Sequence, residues 1–276
     1  MNTSHMDGII HSETYGAVTS NLPITHAVEP LPLVSCQYAP PFPAMPSTLV
    51  RLHILLQNRV VDLKSIVSVV RPDPGFAAEI LRLTRNESQA SSCSLHECLL
   101  DLGMENLRRA VRFIPSLGVP TADEERWQLR WRLRRARLTA MAAETISSAL
   151  GDIPPEQAYL AGLLHDLPGL VCSNRDCLCK KPEILARLNP WNLPDYVVAV
   201  IRWHHKPSFA PAEHVATAHR VATARAWVDE IQLADACLPL GWFHTVSHKP
   251  VWHHLPNRGS VLRTLADNLE QWRFAL

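Results

Sequence analysis

Prolines divide this chain into helix-length pieces. There are 22 of them against 10 glycines in 276 residues. A proline has no amide hydrogen, and its ring collides with the carbonyl four residues earlier. It is therefore welcome in the first turn of a helix and excluded from the interior. From Pro46 onward the boundaries fall at Pro72 and Pro74, Pro115 and Pro120, Pro154-Pro155, Pro168, Pro194, Pro207 and Pro211. Between them the apolar residues recur at helical spacing. Asp62 can cap a helix carrying Leu63, Ile66, Val67 and Val70, and Pro72 forbids its continuation. Asp73-Pro74 restarts a helix whose inner face holds Phe76, Ile80 and Leu83. Ser94 and Glu97 have capping-box spacing, Leu99 and Leu102 follow, and Gly103 suits a left-handed helix end. Leu107, Val111 and Ile114 mark another short helix, and residues 115–126 read as a joint. Further helices are predicted from about Glu124 to Leu150, stopped by Gly151, from Pro155 to Pro168, from Pro194 to His205, and from Pro211 to about Asp229. Ser260 can cap a last helix holding Leu262, Leu265, Leu269 and Trp272. No segment alternates with period two between hairpin turns, so the pattern predicts an all-α chain.

An apolar content of 47% is enough to fill a core and excludes a largely disordered chain. With 27 Lys and Arg against 26 Asp and Glu, the net charge of +1 excludes coating nucleic acid through bulk charge. No apolar run nears the ~20 residues that span a bilayer. The first basic residue is Arg51, so residues 1–50 lack the basic start of a secretory signal. Seven cysteines, an odd number, suit reduced thiols, and a cytoplasmic location is expected. Residues 1–39, rich in Pro, Ser and Thr, read as a flexible tail.

The sharpest chemical feature is His165-Asp166 in an apolar setting, Leu163-Leu-His-Asp-Leu167. Imidazole and carboxylate can share a metal when other helices supply further ligands. The competing reading is a buried pair bonded to backbone or to a neighbouring helix, since a buried Asp must be compensated. His204 and His205 end a helix and point about 100° apart, so capping the last carbonyls competes with a ligand role. His219, in the next helix, could face the same core. Cys172, Cys177 and Cys179 depart from zinc-site spacing and read as a surface loop rather than a metal clip or redox pair. Between Glu105 and Arg137 nine Arg face four acids, a local net of +5. Arg130, Arg134 and Arg137 share one helix face, and Leu129, Leu133, Ala136 and Ala140 another. This is an amphipathic helix with Arg stems covering its rim, or an anion, partner or nucleic-acid patch in which Trp could stack on bases.

The motifs also come in a familiar order. They are Pro40-Pro-Phe-Pro-Ala-Met-Pro46, then Val70-Arg-Pro-Asp-Pro-Gly-Phe-Ala-Ala-Glu-Ile-Leu-Arg-Leu83, Asn86, and Cys93-Ser-Leu-His-Glu-Cys-Leu-Leu-Asp-Leu-Gly103. Ala158-Tyr-Leu-Ala-Gly-Leu-Leu-His-Asp166, Trp191-Asn-Leu-Pro194 and Ile201-Arg-Trp-His-His205 follow. In this order they resemble an HDOD domain, a bacterial relative of the HD and HD-GYP phosphohydrolases, over roughly residues 40–235. The resemblance implies an N-terminal helical bundle over 40–118 and a degenerate HD-type bundle over 120–235. A Trp- and His-rich extension, 236–276, with Trp242, Trp252, Trp272, His244, His248, His253 and His254, lies beyond it.

Catalytic HD enzymes hold metal with an upstream His, the His-Asp pair and a later Asp. Here the upstream position offers Arg135, Ala136 and Arg137, and His219 stands near the later one. The resemblance thus implies a residual pocket of His165, Asp166, His204, His205, His219, Arg135 and Arg137, in which an Arg could pair with Asp166 in place of a metal. No metal or other cofactor is expected; any metal would fall to His165, Asp166 and His219. The function implied is a non-enzymatic signalling or regulatory module acting through protein partners, in bacterial signalling of the cyclic-dinucleotide kind. The alternatives are a metal-dependent phosphohydrolase with altered ligands and nucleic-acid binding through the Arg-rich helix 126–137.

Overall fold

The computed structural model describes residues 41–58, 61–85, 94–171, 192–233, 259–261, 263–265 and 267–268. All of them belong to the unit Gln37–Leu276. The tail over 1–39, the Cys172, Cys177 and Cys179 loop and most of the 236–276 extension lie outside the described residues.

Local chemistry starts and stops the helices as their sequences require. α1 (Pro46–Gln57) has proline in its first turn, and α2 (Leu63–Val70) is capped by Asp62, whose Oδ1 accepts from the Lys64 amide at 3.2 Å. Asp73 Oδ1 accepts from the Phe76 amide at 3.0 Å and opens α3 (Pro74–Arg85). Ser94 Oγ accepts from the Glu97 amide at 3.2 Å and opens α4 (Leu95–Phe113). Gly103 does not end a helix in the left-handed conformation. It takes φ 71° and ψ 159°, so the chain kinks there and resumes at once as the second half of α4. α5 (Asp123–Leu150) ends on Gly151, left-handed at φ 69° and ψ 16°, whose amide donates to Ser147 O at 2.8 Å.

α6 (Pro155–Leu164) is shorter than predicted. The Pro168 ring would collide with the Leu164 carbonyl, so the helix breaks there and His165 and Asp166 form a turn before α7 (Leu167–Val171). α8 (Asp195–Trp203) stops just before the two histidines. A 3-10 turn, Ala212–His214, leads into α9 (Val215–Leu233). Every regular element among the described residues is helical. One isolated bridge pairs Ala44 with Ser116: Ala44 N donates to Pro115 O at 2.9 Å and Leu117 N to Ala44 O at 2.7 Å.

The buried faces of α1 to α4, including Leu52, Ile66, Phe76 and Leu107, are continuous with those of α5 to α9, including Leu138, Leu160, Val200 and Trp227. Three arginines tie the two groups of helices together. Arg71 donates from Nη2 to Glu144 (2.6 Å) and Glu156 (3.1 Å), and its guanidinium lies 3.4 Å above the Tyr159 ring. Burial opposes its charge, but the hydrogen bond to Glu144 and the field of Tyr159, Glu156 and Glu144 outweigh it and raise its pKa. Tyr159 in turn donates to Arg71 O at 3.2 Å, and burial pushes its hydroxyl up to about 12 against the pull of Arg71. Arg85 reaches Leu193 O and, at 3.0 Å, Asp195; Arg137 donates from Nε to Pro72 O at 2.9 Å.

Candidate functional site

The site begins with a glycine. A Cβ on Gly162 would lie 2.8 Å from Ala140 Cα and 2.9 Å from Thr139 O, so only glycine lets α6 press so closely on α5. That approach carries His165, one turn later, into the space between α5, α8 and α9. The His165 ring is 1% exposed. Its Nδ1 lies 2.7 Å from Gly162 O. A carbonyl only accepts, so Nδ1 holds the proton and Nε2 presents a lone pair. That Nε2 is buried and has no hydrogen-bond partner among the described residues. Burial, then His204, Arg225 and Arg135, push the imidazole pKa well below its usual value.

His204, just past the end of α8, is fixed in the same way: its Nδ1 donates to Val200 O at 2.9 Å. The two rings meet edge-on, 5.2 Å apart. Burial, then His205 and Arg225, push His204 down to about 3. His205 is exposed, 4.1 Å from the His204 ring, and its Nδ1 lies 2.7 Å from Arg225 Nη1.

Asp166 lies beside them. A Cβ on Gly169 would sit 2.7 Å from its Oδ1 and 3.1 Å from Arg132 Nη1, so a larger residue there would have to displace these two side chains. Oδ1 is buried without a hydrogen-bond partner among the described residues. Burial raises the carboxyl pKa, while Arg135, Arg132 and Arg225 pull it back. Arg132 also donates to Gly169 O. The other carboxylate is Asp229. Arg135 meets it with Nη2 at 3.0 Å and with Nε at 2.8 Å, the latter an ion pair without hydrogen-bond alignment. Arg225 Nε lies 3.7 Å from the same carboxylate. Arg135 is further held with its guanidinium 4.9 Å from the Trp131 ring. Thr139, one turn along α5, buries its hydroxyl without a hydrogen-bond partner among the described residues.

The structure therefore brings together His165, Asp166, His204 and Arg135, with His205 at the edge. Arg137 does not join them: it faces the N-terminal helices, with Nη2 3.0 Å from Met45 Sδ, and burial lowers its pKa against the pull of Asp73. His219 sits about 120° around α9 from Arg225, its Nε2 3.5 Å from Ser208 Oγ. Arg130 is exposed and Arg134 half-buried; with Arg137 turned inward, the three do not form one exposed patch. Arg132, Thr139, Arg225 and Asp229 were not read as site residues from the sequence. The signal was present as an Arg–Asp pair four residues apart on α9 and as positions 132, 135 and 139 on one face of α5.

An HD-type site implies a divalent ion, and the described donors do not suit one. His165 Nε2 and Asp166 Oδ1 offer two lone pairs, but Asp229 is engaged by Arg135. Three guanidinia against two carboxylates leave local positive charge, which repels a cation. No three His, Cys, Asp or Glu side chains among the described residues gather as a metal site. No described helix is long and apolar enough to cross a membrane.

Residues 42–177 match the HDOD domain family. In sequence the chain is similar to an uncharacterised protein of Treponema pallidum (strain Nichols), 27% identical over 213 residues, 66% of this chain and 41% of that relative's length. In fold it is similar to the crystal structure of the MmoQ response regulator from Methylococcus capsulatus str. Bath, with a TM-score of 0.54 and 15% identity over 82% of this chain and 99% of that one. A crystal structure of an HDOD domain protein from Geobacter sulfurreducens gives a TM-score of 0.44 and 18% identity over 85% of this chain and 92% of the other. Over residues 42–177 this chain is an HDOD domain.

Proposed function

We propose that the chain is a non-enzymatic regulatory module of bacterial signalling, working in the cytoplasm through contact with a protein partner. The observation that carries this reading is the engagement of Asp229. A hydrolase of the HD type uses carboxylates and imidazoles to clamp metal and activate water. Here the α9 carboxylate neutralises Arg135 and Arg225 instead, and both inward imidazoles, kept neutral chiefly by burial, donate Nδ1–H to backbone carbonyls. The pocket thus resembles a structural polar cluster more than a reaction centre. The match to the HDOD domain, and a fold shared with a protein named as a response regulator, support a regulatory role. Its pathway is taken to be of the cyclic-dinucleotide kind.

The test is metal analysis of the purified full chain after incubation with Mn, Fe or Zn, together with an assay of cleavage of bis-p-nitrophenyl phosphate and of a cyclic dinucleotide. The expected result is far less than one metal per chain and no turnover. Metal near stoichiometry, lost in His165→Ala, together with phosphodiester cleavage would overturn the proposal.

A further inference from the structure

An open groove of about 290 Å³ runs between α3 and the second half of α4. Leu83, Leu102, Ala110 and Ile114 give it an apolar lining. Phe113 lines it as well and is 73% exposed, although aromatic rings are normally the first to be covered. The Glu79–Arg82 pair in the groove is self-contained: Glu79 binds Arg82 through both oxygens and also accepts from the Phe42 amide at 3.2 Å. Asn106 commits its amide nitrogen to Leu102 O at 3.0 Å, which leaves its oxygen as an acceptor for a backbone N–H.

Basic side chains outnumber acidic ones beside the groove: the second half of α4 carries Arg108, Arg109 and Arg112 against Glu105. Arg109 lines it and Arg112 lies one turn further along α4, both exposed and neither with an acidic partner among the described residues. Arg108, beside them, reaches only Glu105 among the described residues, at 4.0 Å. An apolar slot with an exposed ring and a net basic edge complements a segment in which a large apolar side chain sits among Asp and Glu. We infer that this groove docks an acidic, hydrophobic peptide segment of another protein, the apolar side chain entering beside Phe113 and its acidic neighbours meeting Arg109 and Arg112.

The chain itself carries such a segment: Asp123, Glu124 and Glu125 are exposed at the start of α5, and Trp127 beyond them is 60% exposed. Two different faces of one chain make a head-to-tail contact, which propagates into open chains unless the rotation closes. A separate partner is therefore the assigned occupant. Nucleic acid is a poorer match, since two cations give little counterion release.

The inference rests on the regulatory reading and names its docking surface. It is tested by fluorescence anisotropy on the full chain. The probe is a fluorescein-labelled peptide of about ten residues with one Phe and one Leu among Glu and Asp, and the control has Lys at the acidic positions. Saturable binding of the acidic peptide alone is expected, weakened about tenfold by Arg109→Glu and by Phe113→Ala, and unchanged by Trp127→Ala. Circular dichroism checks that the variants fold. Failure of the acidic peptide to bind, equal binding of the Lys peptide, or indifference to both groove variants overturns the inference. So does concentration-dependent self-association abolished by Trp127→Ala, which would make the occupant a second copy. Absent peptide binding without phosphodiester cleavage sinks the groove alone; His165-dependent cleavage with groove-dependent binding sinks the regulatory reading alone.

Discussion

Gly162→Ala adds one methyl group where the structure leaves no room. Its carbon would lie 2.8 Å from Ala140 Cα, 2.9 Å from Thr139 O and 3.0 Å from Ala140 N. All three are backbone atoms of α5, so no side chain can swing aside. Ordinary carbon contacts begin near 3.5 Å, so α6 must recede by roughly 0.7 Å. Overfilling of this kind costs about 1–3 kcal/mol, and a rigid backbone neighbour places it at the upper end. Alanine returns up to about 1 kcal/mol through its better helix propensity. The net expectation is a loss of about 2 kcal/mol, or a fall in Tm of about 4–8 °C for a domain of this size. Thermal and urea melts followed by circular dichroism measure it, with Gly118→Ala as control, since a Cβ there meets nothing within 4 Å. The shift should extend to the site, because His165 hangs from Gly162 O, and the His165 and His204 ring signals in NMR should move together. A variant as stable as the parent, with unmoved ring signals, would refute the claim that this contact sets the position of the site.

Removing Asp229 leaves Arg135 without its carboxylate; Asp229→Ala should cost about 2–4 kcal/mol in a urea melt, and Arg135→Met with Asp229→Ala should recover part of that loss. Arg71→Met should cost about 1–3 kcal/mol by leaving Glu144 and Glu156 adjacent without a cation, and should make the N-terminal helices more open to limited proteolysis. Acid should destabilise the fold through the two buried imidazoles. Both have folded pKa values below the 6.5 of the free side chain, so below that pH the unfolded chain binds more protons, and stability falls until pH reaches the folded value, about 3 for His204. Each contributes a slope of up to about 1.4 kcal/mol per pH unit. Asp73 and Asp166, raised by burial above 3.8, oppose this at the acid end, because there the folded chain holds the extra protons. Urea melts at pH 7, 6 and about 5 should show the loss, and His204→Asn should flatten it.

Much of this architecture was written locally. Asp62, Asp73, Ser94 and Gly151 bond within a few residues of themselves, so a short stretch of chain carries the information. The break at His165 was equally local, but Pro168 acts four residues upstream of itself, on Leu164, and reading the helix as far as the proline overshot. His165, Asp166 and His204 could be picked out because a buried charge or imidazole in an apolar run is conspicuous. Arg225 and Asp229 could not, since their meeting with α5 depends on how α9 is rotated against it, a property of packing that neither helix encodes alone. The inward turn of Arg137 was hidden for the same reason: its acceptor, Pro72 O, lies 65 residues away.

The short bridge between Ala44 and Ser116 has a consequence for handling the molecule. The stretch entering α1 and the stretch leaving α4 run side by side there, so the first four helices form a loop closed at its neck. A tether or cut at this neck meets both ends of the loop at once.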